Sequence, residues 1–396
     1  MNILFSNVYE VTPFLGGTER ITHRIASAFK QRYKYRCYLS YRIPNNDKTT
    51  DNIFDAKFQI KKSTSIKELT QFIKRYSINY IIIQGVFKDV IIYKEAIKDI
   101  PKCKIIFTHH FEPKAEKNFF LFKDFLHDAL KYKTIKKYIK IPLYPYFRGK
   151  YLKQLPIQYQ KAYKNSDALV LLMKDFISPY MKYAKLSDNK KFTCIPNMLS
   201  YNEFCSIDDI ENKEKTILIV SRLDERFKRI LLALKIWEDL KKQSCAKEWK
   251  LKIIGAGDDY HKYIAYIKKN HLTDVYFLGR QDPIQYYKES SLFLMTSISE
   301  SWGLTITEAQ QFGVIPIAFD CFPSLKEIIS NQYNGFLVPE NQLCKYANIL
   351  KELIVNEKKR KEVAKNCIES SKKYSEAIII EKWNNLLLNL NNESKL

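Results

Sequence analysis

The sequence contains no long hydrophobic run and no secretion signal at its start. No stretch of about 18 apolar residues occurs, so a membrane-spanning helix is not expected. The first residues, MNILFSNVYE, lack the basic segment, apolar run and small-residue cleavage site that mark a signal peptide. These two absences predict a cytoplasmic protein.

Patterns that bind metals or form disulfides are missing as well. The 8 cysteines are scattered, and none stands in a CxxC or other ligand spacing, which indicates reduced thiols. There is no DxD spacing and no His, Asp or Glu cluster with metal-ligand spacing, so we expect neither a catalytic metal nor another cofactor. No GxSxG elbow or Cys/His arrangement is present either.

Acidic residues are scarce relative to basic ones. The 396 residues include 66 Lys and Arg against 43 Asp and Glu, which leaves a net charge of +23. Hydrophobic residues make up 46% and charged residues 28%, a composition typical of a soluble globular protein. The length predicts two domains.

The basic residues are concentrated in residues 131–165, KYKTIKKYIKIPLYPYFRGKYLKQLPIQYQKAYKN, which contain ten basic residues, eight aromatic residues and no acidic ones. Such a segment is compatible with a solvated basic surface, an anionic membrane surface or nucleic acid. Among the functional interpretations the membrane is favoured, because aromatic rings suit the headgroup layer and each nearby cation adds about 1 kcal/mol on an anionic leaflet. No helix-turn-helix, zinc-finger or RNP-type pattern accompanies the charge, which makes nucleic acid the minority interpretation.

Short β-rich runs alternate with amphipathic helical windows along the whole chain. The predicted strands are 2–6, 36–41, 80–84, 104–109, 168–172 and 192–196, then 216–221, 249–255, 275–279, 291–297 and 314–320. The clearest predicted helices are 18–32, 65–76, 229–241, 259–269, 343–371 and 375–390. The polar segment 197–215 interrupts the alternation and is the predicted linker. This order predicts an α/β fold with two parallel sheets in tandem, facing one another across a ligand-binding cleft.

Two loops at predicted strand ends are suited to phosphate. FLGGTER (14–20) places Gly16 and Gly17 before the first helix, where backbone without Cβ can approach a phosphate, although a plain tight turn is equally compatible. SRLDERFKR (221–229) places Arg222 and Lys228 after a strand, where charge-assisted hydrogen bonds suit a diphosphate. The alternative is two solvated basic residues. The glycine pair of IIGAGDDY (253–260) is interpreted as turn geometry.

The segment SISESWGLTITEAQQFGVIPIAFD (297–320) puts two glutamates eight apart around a glycine. Gly303 and Leu304 stand where a helix should begin, so their N–H groups can point at an anion. TITE (305–308) also matches a capping box, which would explain Glu308 but not Glu300. Ionised carboxylates accept hydrogen bonds from hydroxyls, so the two glutamates suit the polyol ends of a sugar nucleotide.

Two histidines end a strand of the first half, in IFTHHFEP (106–113). A strand-end histidine is usually structural, but one in this place can also touch a sugar or assist proton transfer. Both His109 and His110 are candidates on this ground.

These segments together resemble a known family. SESWGLTITEAQQFGVIPIAFD resembles the E-x7-E region of retaining GT-B glycosyltransferases of family four, also described as glycosyl transferases group 1. VSRLDERFK resembles their phosphate motif, and FLGGTER resembles their GG-x-E-R loop. CIPN (194–197) and YNGFLVP (333–339) resemble their I-P-N-G and N-G-x-L-V-P elements. The matches follow the family order over nearly the whole chain.

The resemblance implies a GT-B fold and a role for individual residues. The expected domains are 1–197 for the acceptor, 198–374 for the nucleotide sugar, and a helix in 375–396 that packs back on the first domain. Glu308 is expected at the ribose, Glu300 at the donor sugar, and Arg222, Lys228 and Gly17 at the diphosphate. The expected catalytic residues are Glu300, His109, Arg222 and Lys228. The expected nucleotide-binding residues are Gly16, Gly17, Arg222, Lys228, Arg280, Gly303, Leu304 and Glu308.

The function that the resemblance implies is transfer of a hexose or N-acetylhexosamine from a nucleotide-diphosphate sugar, with retention and without a metal. UDP is the favoured nucleotide, and the acceptor is lipid-linked or a polysaccharide in lipopolysaccharide, capsule or O-antigen biosynthesis. The expected location is peripheral, on the inner face of the membrane. A nucleic-acid-binding protein and a sugar-nucleotide epimerase or hydrolase are the alternatives. Two positions depart from the family pattern, since Ser301 and Met198 stand where glycine is usual.

Overall fold

The computed structural model describes residues 1–12, 16–45, 52–61, 63–118, 121–122, 125–126 and 141–392. The chain divides into two compact units, Met1–Pro196 with Ile379–Leu396, and Asn197–Ile378. The predicted boundaries were 197/198 and 374/375. Phe14, Leu15 and residues 131–140 of the basic segment lie outside the described residues.

The first unit is built on a parallel sheet. Its strands in chain order are β1 Asn2–Ser6, β2 Arg36–Tyr41, β3 Ala56–Gln59, β4 Tyr80–Gln84, β5 Lys104–His109, β6 Ala168–Leu171 and β7 Phe192–Cys194. Their spatial order is β3-β2-β1-β4-β5-β6-β7, and every pairing is parallel. All five residues of β4, YIIIQ, are buried, as expected for a central strand covered on both faces.

Helices cover this sheet. They are α1 Gly17–Tyr33, α2 Ile66–Arg75, α3 Phe87–Ala96, α4 Tyr144–Asn165 and α5 Ile177–Ala184. Helix α1 buries Ile21, Ile25 and Phe29, whose four-residue spacing forms an apolar stripe on one helix face. Helix α4 includes Pro156 in its interior and carries no acidic residue over 22 residues.

The second unit has a parallel sheet of its own. Its strands are β8 Glu214–Val220, β9 Lys250–Ile254, β10 Val275–Phe277, β11 Ser290–Met295, β12 Ile315–Phe319 and β13 Phe336–Val338, in the spatial order β10-β9-β8-β11-β12-β13. Strand β11, SSLFLM, and strand β12, IPIAF, are buried at every residue. The carboxyl ends of β8, β9, β11 and β12 therefore lie side by side at one edge.

The remaining helices follow the strands in alternation. They are α6 Ile207–Glu211, α7 Glu225–Lys228, α8 Ile230–Lys241, α9 Tyr260–Lys269, α10 Ile284–Glu289, α11 Leu304–Gln311, α12 Ser324–Ile328, α13 Leu343–Val355, α14 Glu357–Ser371 and α15 Glu376–Asn392. The last helix, α15, packs on the first unit. Tyr35 donates its hydroxyl hydrogen bond to Asn384 Oδ1 (2.7 Å), and Tyr80 donates to the Leu387 carbonyl (2.6 Å). This confirms the expected return of the C-terminal helix.

Three details differ from the sequence prediction. Strands β3 and β13 were not predicted, because AKFQ is four residues long and partly exposed and FLV is only three residues long. The predicted linker contains α6, which Ser206 and Asp209 begin with a reciprocal capping box. The predicted helix 343–371 is two helices, since Asn356 ends α13 and its side chain accepts from Lys359 N (3.0 Å) to start α14. In the described residues no helix is long and apolar enough to span a bilayer.

Candidate functional site

The loop after β8 carries the two predicted phosphate ligands, Arg222 and Lys228. Arg222 is 67% exposed, and its guanidinium lies 3.4 Å from Asp224. Lys228 is the last residue of α7, and Arg229 follows it in a left-handed conformation at φ 49°. The sequence placed Lys228 near a helix start, whereas the structure places it at the end of a one-turn helix, where a cation is favourable.

The glycine pair of IIGAGDDY makes room for this loop. A Cβ at Gly255 would lie 1.8 Å from the Ser221 carbonyl oxygen, and one at Gly257 would lie 2.2 Å from the Leu223 carbonyl oxygen. Leu223 N donates to the Ala256 carbonyl (3.0 Å), which holds the two loops together. The glycines thus serve close backbone packing, in agreement with the turn geometry that the sequence indicated.

Replacing Gly255 with alanine is expected to destabilise the second unit by about 3 kcal/mol, because the methyl group must displace backbone of the Arg222 loop. Gly279→Ala is the matched control. Gly279 also has a positive φ, 72°, but no atom lies within 4 Å of its Cβ position. The control is expected to lose about 1 kcal/mol from backbone strain alone. Urea unfolding measures both, and equal losses would contradict the packing role.

Lys228 and Glu300 form an ion pair between the β8 loop and the β11 loop. Their side chains are 17% and 18% exposed, so a ligand can reach the pair. Two hydrogen bonds fasten the loops beside it: Thr296 Oγ donates to the Lys228 carbonyl (2.8 Å), and Ile298 N donates to the Phe227 carbonyl (2.9 Å). The structure therefore brings together two residues that the sequence assigned to one ligand.

Arg229 reinforces the same edge, and sequence reasoning gave it no role. Its Nε donates to the Thr296 carbonyl (2.8 Å), one Nη donates to Glu340 Oε1 (2.9 Å), and the other lies 3.2 Å from Cys321 Sγ. One side chain thus links the loops after β11, β12 and β13. The three partners are 67 to 111 residues away in sequence, so no local pattern could have identified it.

Gly303 and Leu304 begin helix α11, as predicted. Gly303 is the residue before the helix, in a left-handed conformation at φ 90°, which favours glycine. The first N–H groups of a helix have no acceptor within it and can face an anion. The capping-box interpretation of TITE is wrong, because α11 starts at Leu304 and no side chain caps it.

Glu308 lies one turn into α11 and is completely buried. Ser200 Oγ donates to its Oε1 (2.5 Å), and the Tyr287 hydroxyl donates to its Oε2 (2.9 Å). Ser200 and Tyr287 were not identified from the sequence, since they lie 108 and 21 residues away. Of these two partners Ser200 is the one that is partly exposed, so a ribose hydroxyl could take the place of its hydroxyl.

Arg280 follows strand β10 on the surface of the second unit. The neighbouring Gly279 carbonyl accepts from Gly255 N (2.8 Å), so Arg280 is next to the loop that supports Arg222. Within the described part of the chain, no group of three His, Cys, Asp or Glu side chains is arranged to hold a metal ion.

In the first unit, His109 does not fit the predicted catalytic role. It is fully buried, and its Nε2–H donates to Glu116 Oε1 (2.6 Å). The rings of Phe87, Tyr159 and Tyr180 pack around it at centroid distances of 5.5, 5.1 and 5.5 Å. Neither a donor sugar nor an acceptor substrate can contact an imidazole enclosed in this way, so we correct the role of His109 to a structural one.

Glu116 is the centre of this buried cluster. Its second carboxylate oxygen accepts from the Tyr159 hydroxyl, and its carbonyl accepts from the Tyr151 hydroxyl (2.7 Å). Burial alone would raise the pKa of Glu116, but the His109 imidazole and the hydrogen bonds from His109 and Tyr159 outweigh burial and lower it. The carboxylate is therefore ionised and balanced by its partners.

His110 is the remaining histidine candidate. Its Nε2–H donates to Gln84 Oε1 (2.5 Å), at the carboxyl end of β4. Gln84 Nε2 and Asn7 Oδ1, just beyond the neighbouring strand β1, are buried and have no hydrogen-bond partner among the described residues. Gly16 and Gly17 stand at the start of α1, after the same strand. This edge of the first sheet thus has unused donors and acceptors, which suit a hydroxyl-rich ligand.

His110 should also make the protein sensitive to acid. Burial, followed by the nearby His109, lowers the pKa of His110 from 6.5 to about 3. Because the unfolded chain binds this proton more readily, the stability is complete above about pH 6.5 and is lost as the pH falls towards about 3. The slope reaches about 1.4 kcal/mol per pH unit. Urea unfolding of wild type and His110→Asn between about pH 4.5 and 7.5 measures it. The exposed His261→Asn is the control, and an unchanged slope in His110→Asn would contradict the assignment.

Comparison with known proteins identifies the second unit. Residues 203–370 match the family model described as glycosyl transferases group 1. The second unit belongs to the glycosyl transferases group 1 family. The match includes Arg222, Lys228, Glu300 and Glu308. The Lys228–Glu300 ion pair therefore lies within the family region.

Relatives of this chain include two curated glycosyltransferases. The amylovoran biosynthesis glycosyltransferase AmsD of Erwinia amylovora is 31% identical over 191 residues, 47% of this chain and 52% of the relative. The GalNAc-α-(1→4)-GalNAc-α-(1→3)-diNAcBac-PP-undecaprenol α-1,4-N-acetyl-D-galactosaminyltransferase of Campylobacter jejuni is 25% identical over 204 residues, 51% of this chain and 56% of the relative. The chain spans about half the length of these curated relatives.

A solved structure is similar over nearly the whole chain. Anabaena Alr3699/HepE, in complex with UDP and glucose, aligns with a TM-score of 0.72 and 17% identity, covering 98% of this chain and 100% of that one. At this identity the similarity shows the fold alone. It confirms the predicted α/β GT-B fold class.

Proposed function

We propose that this chain transfers a hexose or N-acetylhexosamine from a nucleotide-diphosphate sugar to a lipid-linked or polysaccharide acceptor. The observation that carries the proposal is the Lys228–Glu300 pair, with the exposed Arg222, at the carboxyl edge of the second sheet. Cations and a carboxylate in one place suit a donor whose diphosphate adjoins a polyol.

The donor would occupy this edge with its phosphates on the cations. Arg222 and Lys228 bind the diphosphate, and the N–H groups at the start of α11 add partial positive charge. Glu300, already held by Lys228, accepts hydrogen bonds from hydroxyls of the donor sugar. Glu308 accepts from the ribose after the Ser200 hydroxyl is displaced. Arg280 and the glycines 16 and 17 stay predicted nucleotide ligands.

Charge stabilisation would drive the reaction. The bond between the anomeric carbon and the diphosphate oxygen breaks, and the bond to the acceptor oxygen forms on the same face of the sugar. The proton of the acceptor hydroxyl passes to the departing phosphate oxygen, which gives retention without a covalent glycosyl-enzyme. Lys228 and Arg222 stabilise the charge that develops on the diphosphate. The residues provide this without a metal.

The comparisons support UDP and a surface-glycan acceptor. The Anabaena neighbour was solved with UDP and glucose, and the Campylobacter relative is named for a diphospho-undecaprenol-linked substrate. The Erwinia relative is named for amylovoran biosynthesis. We infer a UDP-sugar donor and a role in lipopolysaccharide, capsule or O-antigen synthesis. In the first unit His110 is buried as well, so neither strand-end histidine is proposed to contact the acceptor.

The basic segment would place the enzyme on the inner face of the membrane. Its described part, helix α4, has no acidic residue to repel an anionic leaflet. Lipid-linked acceptors are held in the membrane, so a peripheral location would bring enzyme and acceptor together.

A transfer assay tests the proposal. Wild type is incubated with UDP- and GDP-sugars and with polyprenyl-diphosphate-linked acceptors, and the products are identified by mass spectrometry and by anomeric coupling in NMR. One UDP-sugar is expected to give a retained glycoside, and the double variant Arg222→Ala, Lys228→Ala is expected to give none. Nucleotide release without glycan would favour an epimerase or hydrolase. A trapped glycosylated side chain would refute the front-face mechanism.

A further inference from the structure

An open groove lies on the outer surface of the first unit, between helices α3 and α4. Its volume is about 470 Å³, which is in the range of small-molecule sites. Its lining residues come from one turn of α3 and two turns of α4: Phe87, Lys88, Ile91, Ile92, Gln154, Ile157, Gln158 and Lys161. The proposed donor site is in the second unit, so nucleotide binding does not account for this groove.

The walls of the groove are apolar although they face solvent. Ile91 is 42% exposed and Ile157 is 51% exposed, and each projects from a different helix. On α4 the lining residues are spaced by three, four and seven positions, which places them on one helix face. Apolar side chains with a few polar groups are the usual lining of a small-molecule site.

Two cations line this apolar surface. Lys88 on α3 and Lys161 on α4 line the groove, and none of its described lining residues is acidic. Asp89, next in sequence, is buried and bound by both Nη groups of Arg42. On the outer face of α3 the first carboxylate is Glu95, one turn beyond the lining residues. An anionic group would therefore be attracted to the groove.

The apolar and basic pattern continues along α4. Leu143 and Tyr146, at its start, are 50% and 64% exposed. At 100° per residue they share a face with Ile157 and Lys161, together with Lys150, Gln154 and Lys164. The helix is 22 residues, or about 33 Å, long. A long ligand with an apolar body and an anionic head matches this stripe.

We propose that the α3–α4 groove binds the hydrocarbon chain of a polyprenyl phosphate or diphosphate, with the phosphate held by Lys88 and Lys161. The inference rests on the proposed function, because such a lipid would carry the acceptor glycan. Single-stranded nucleic acid is disfavoured because its sites use stacked aromatic rings, whereas aliphatic side chains dominate here. A protein partner is disfavoured because a stable interface needs about 800 Å² on each side, far more than this groove offers.

Photo-crosslinking with the full-length chain tests the proposal. The probe is a polyprenyl phosphate with a diazirine on the isoprene unit next to the phosphate, in detergent micelles, and the labelled peptides are identified by mass spectrometry. Saturable labelling is expected within residues 87–92 or 154–161. Ile91→Gln with Ile157→Gln should weaken binding about tenfold. Lys88→Glu with Lys161→Glu should weaken binding of the phosphate but not of the uncharged polyprenol.

The controls are exposed apolar residues of the second unit, Ile207→Gln with Val355→Gln, which should leave labelling unchanged. Labelling elsewhere in the chain, or equal labelling of wild type and the isoleucine variant, would overturn the proposal. UDP binding by calorimetry separates the two ideas. Groove labelling that persists in a protein without UDP binding would support the lipid site and refute the transferase. Sugar transfer to a lipid-free acceptor, together with no labelling of the groove, would support the transferase and refute the lipid site.

Discussion

Lys228→Ala is expected to lower the rate of sugar transfer by about 100- to 1000-fold, the range found when one preorganised stabilising group is removed from an active site. The ammonium group of Lys228 is held by Glu300 and is partly open to solvent. It needs no rearrangement to meet a phosphate, so its loss affects the charged transition state directly. The backbone bonds from Thr296 Oγ and Ile298 N to this loop do not involve the lysine side chain. The loop should therefore keep its position in the variant.

Two variants make the result specific. Lys228→Arg keeps the charge and should retain more activity than the alanine variant, while the exposed Lys235→Ala, on the next helix, should match wild type. Initial rates at saturating donor separate an effect on kcat from an effect on binding. A Lys228→Ala enzyme with the wild-type kcat would show that the ammonium does not act on the leaving diphosphate.

Glu116→Ala is expected to destabilise the first unit by about 3–5 kcal/mol, because it leaves a buried histidine and a buried tyrosine without their shared acceptor. His109 and Tyr159 both donate to this carboxylate, and their rings pack against each other. The loss should appear in urea unfolding at neutral pH as a lower midpoint for the first unit.

Glu116→Gln should lose less stability than Glu116→Ala, since the amide oxygen still accepts one of the two hydrogen bonds. Glu95→Ala, an exposed glutamate of the same unit, is the control and should change stability by about 0.5 kcal/mol or less. A Glu116→Ala protein as stable as the control would show that His109 is not fixed by this carboxylate. It would reopen His109 as a catalytic residue.

The sequence predicted the fold well wherever structure is local. Runs such as YIIIQ and SSLFLM are continuously apolar and became central strands. The elements it missed depend on weak or broken patterns. Strand β3, AKFQ, has only four residues, and two of them are polar. Asn356 divides a helical pattern whose apolar periodicity continues on both sides.

Site residues could be predicted where a sequence motif directly follows a predicted strand. Lys228 and Glu300 were assigned to one ligand and do form a pair. The partners that enclose a residue could not be predicted in the same way. Ser200 reaches Glu308 over 108 positions, and the rings around His109 come from three different helices. Tertiary packing alone therefore decided that His109 is enclosed and that Glu308 is covered.

The most direct test of the central claim is calorimetric titration of UDP into wild type and into the double variant Arg222→Ala, Lys228→Ala. We predict binding to wild type and none to the variant, with both proteins folded by circular dichroism. UDP at about 100 times its Kd should also stabilise wild type by about 2.7 kcal/mol. Equal binding to both proteins, or no binding to wild type, would contradict a donor diphosphate site at this edge of the second sheet.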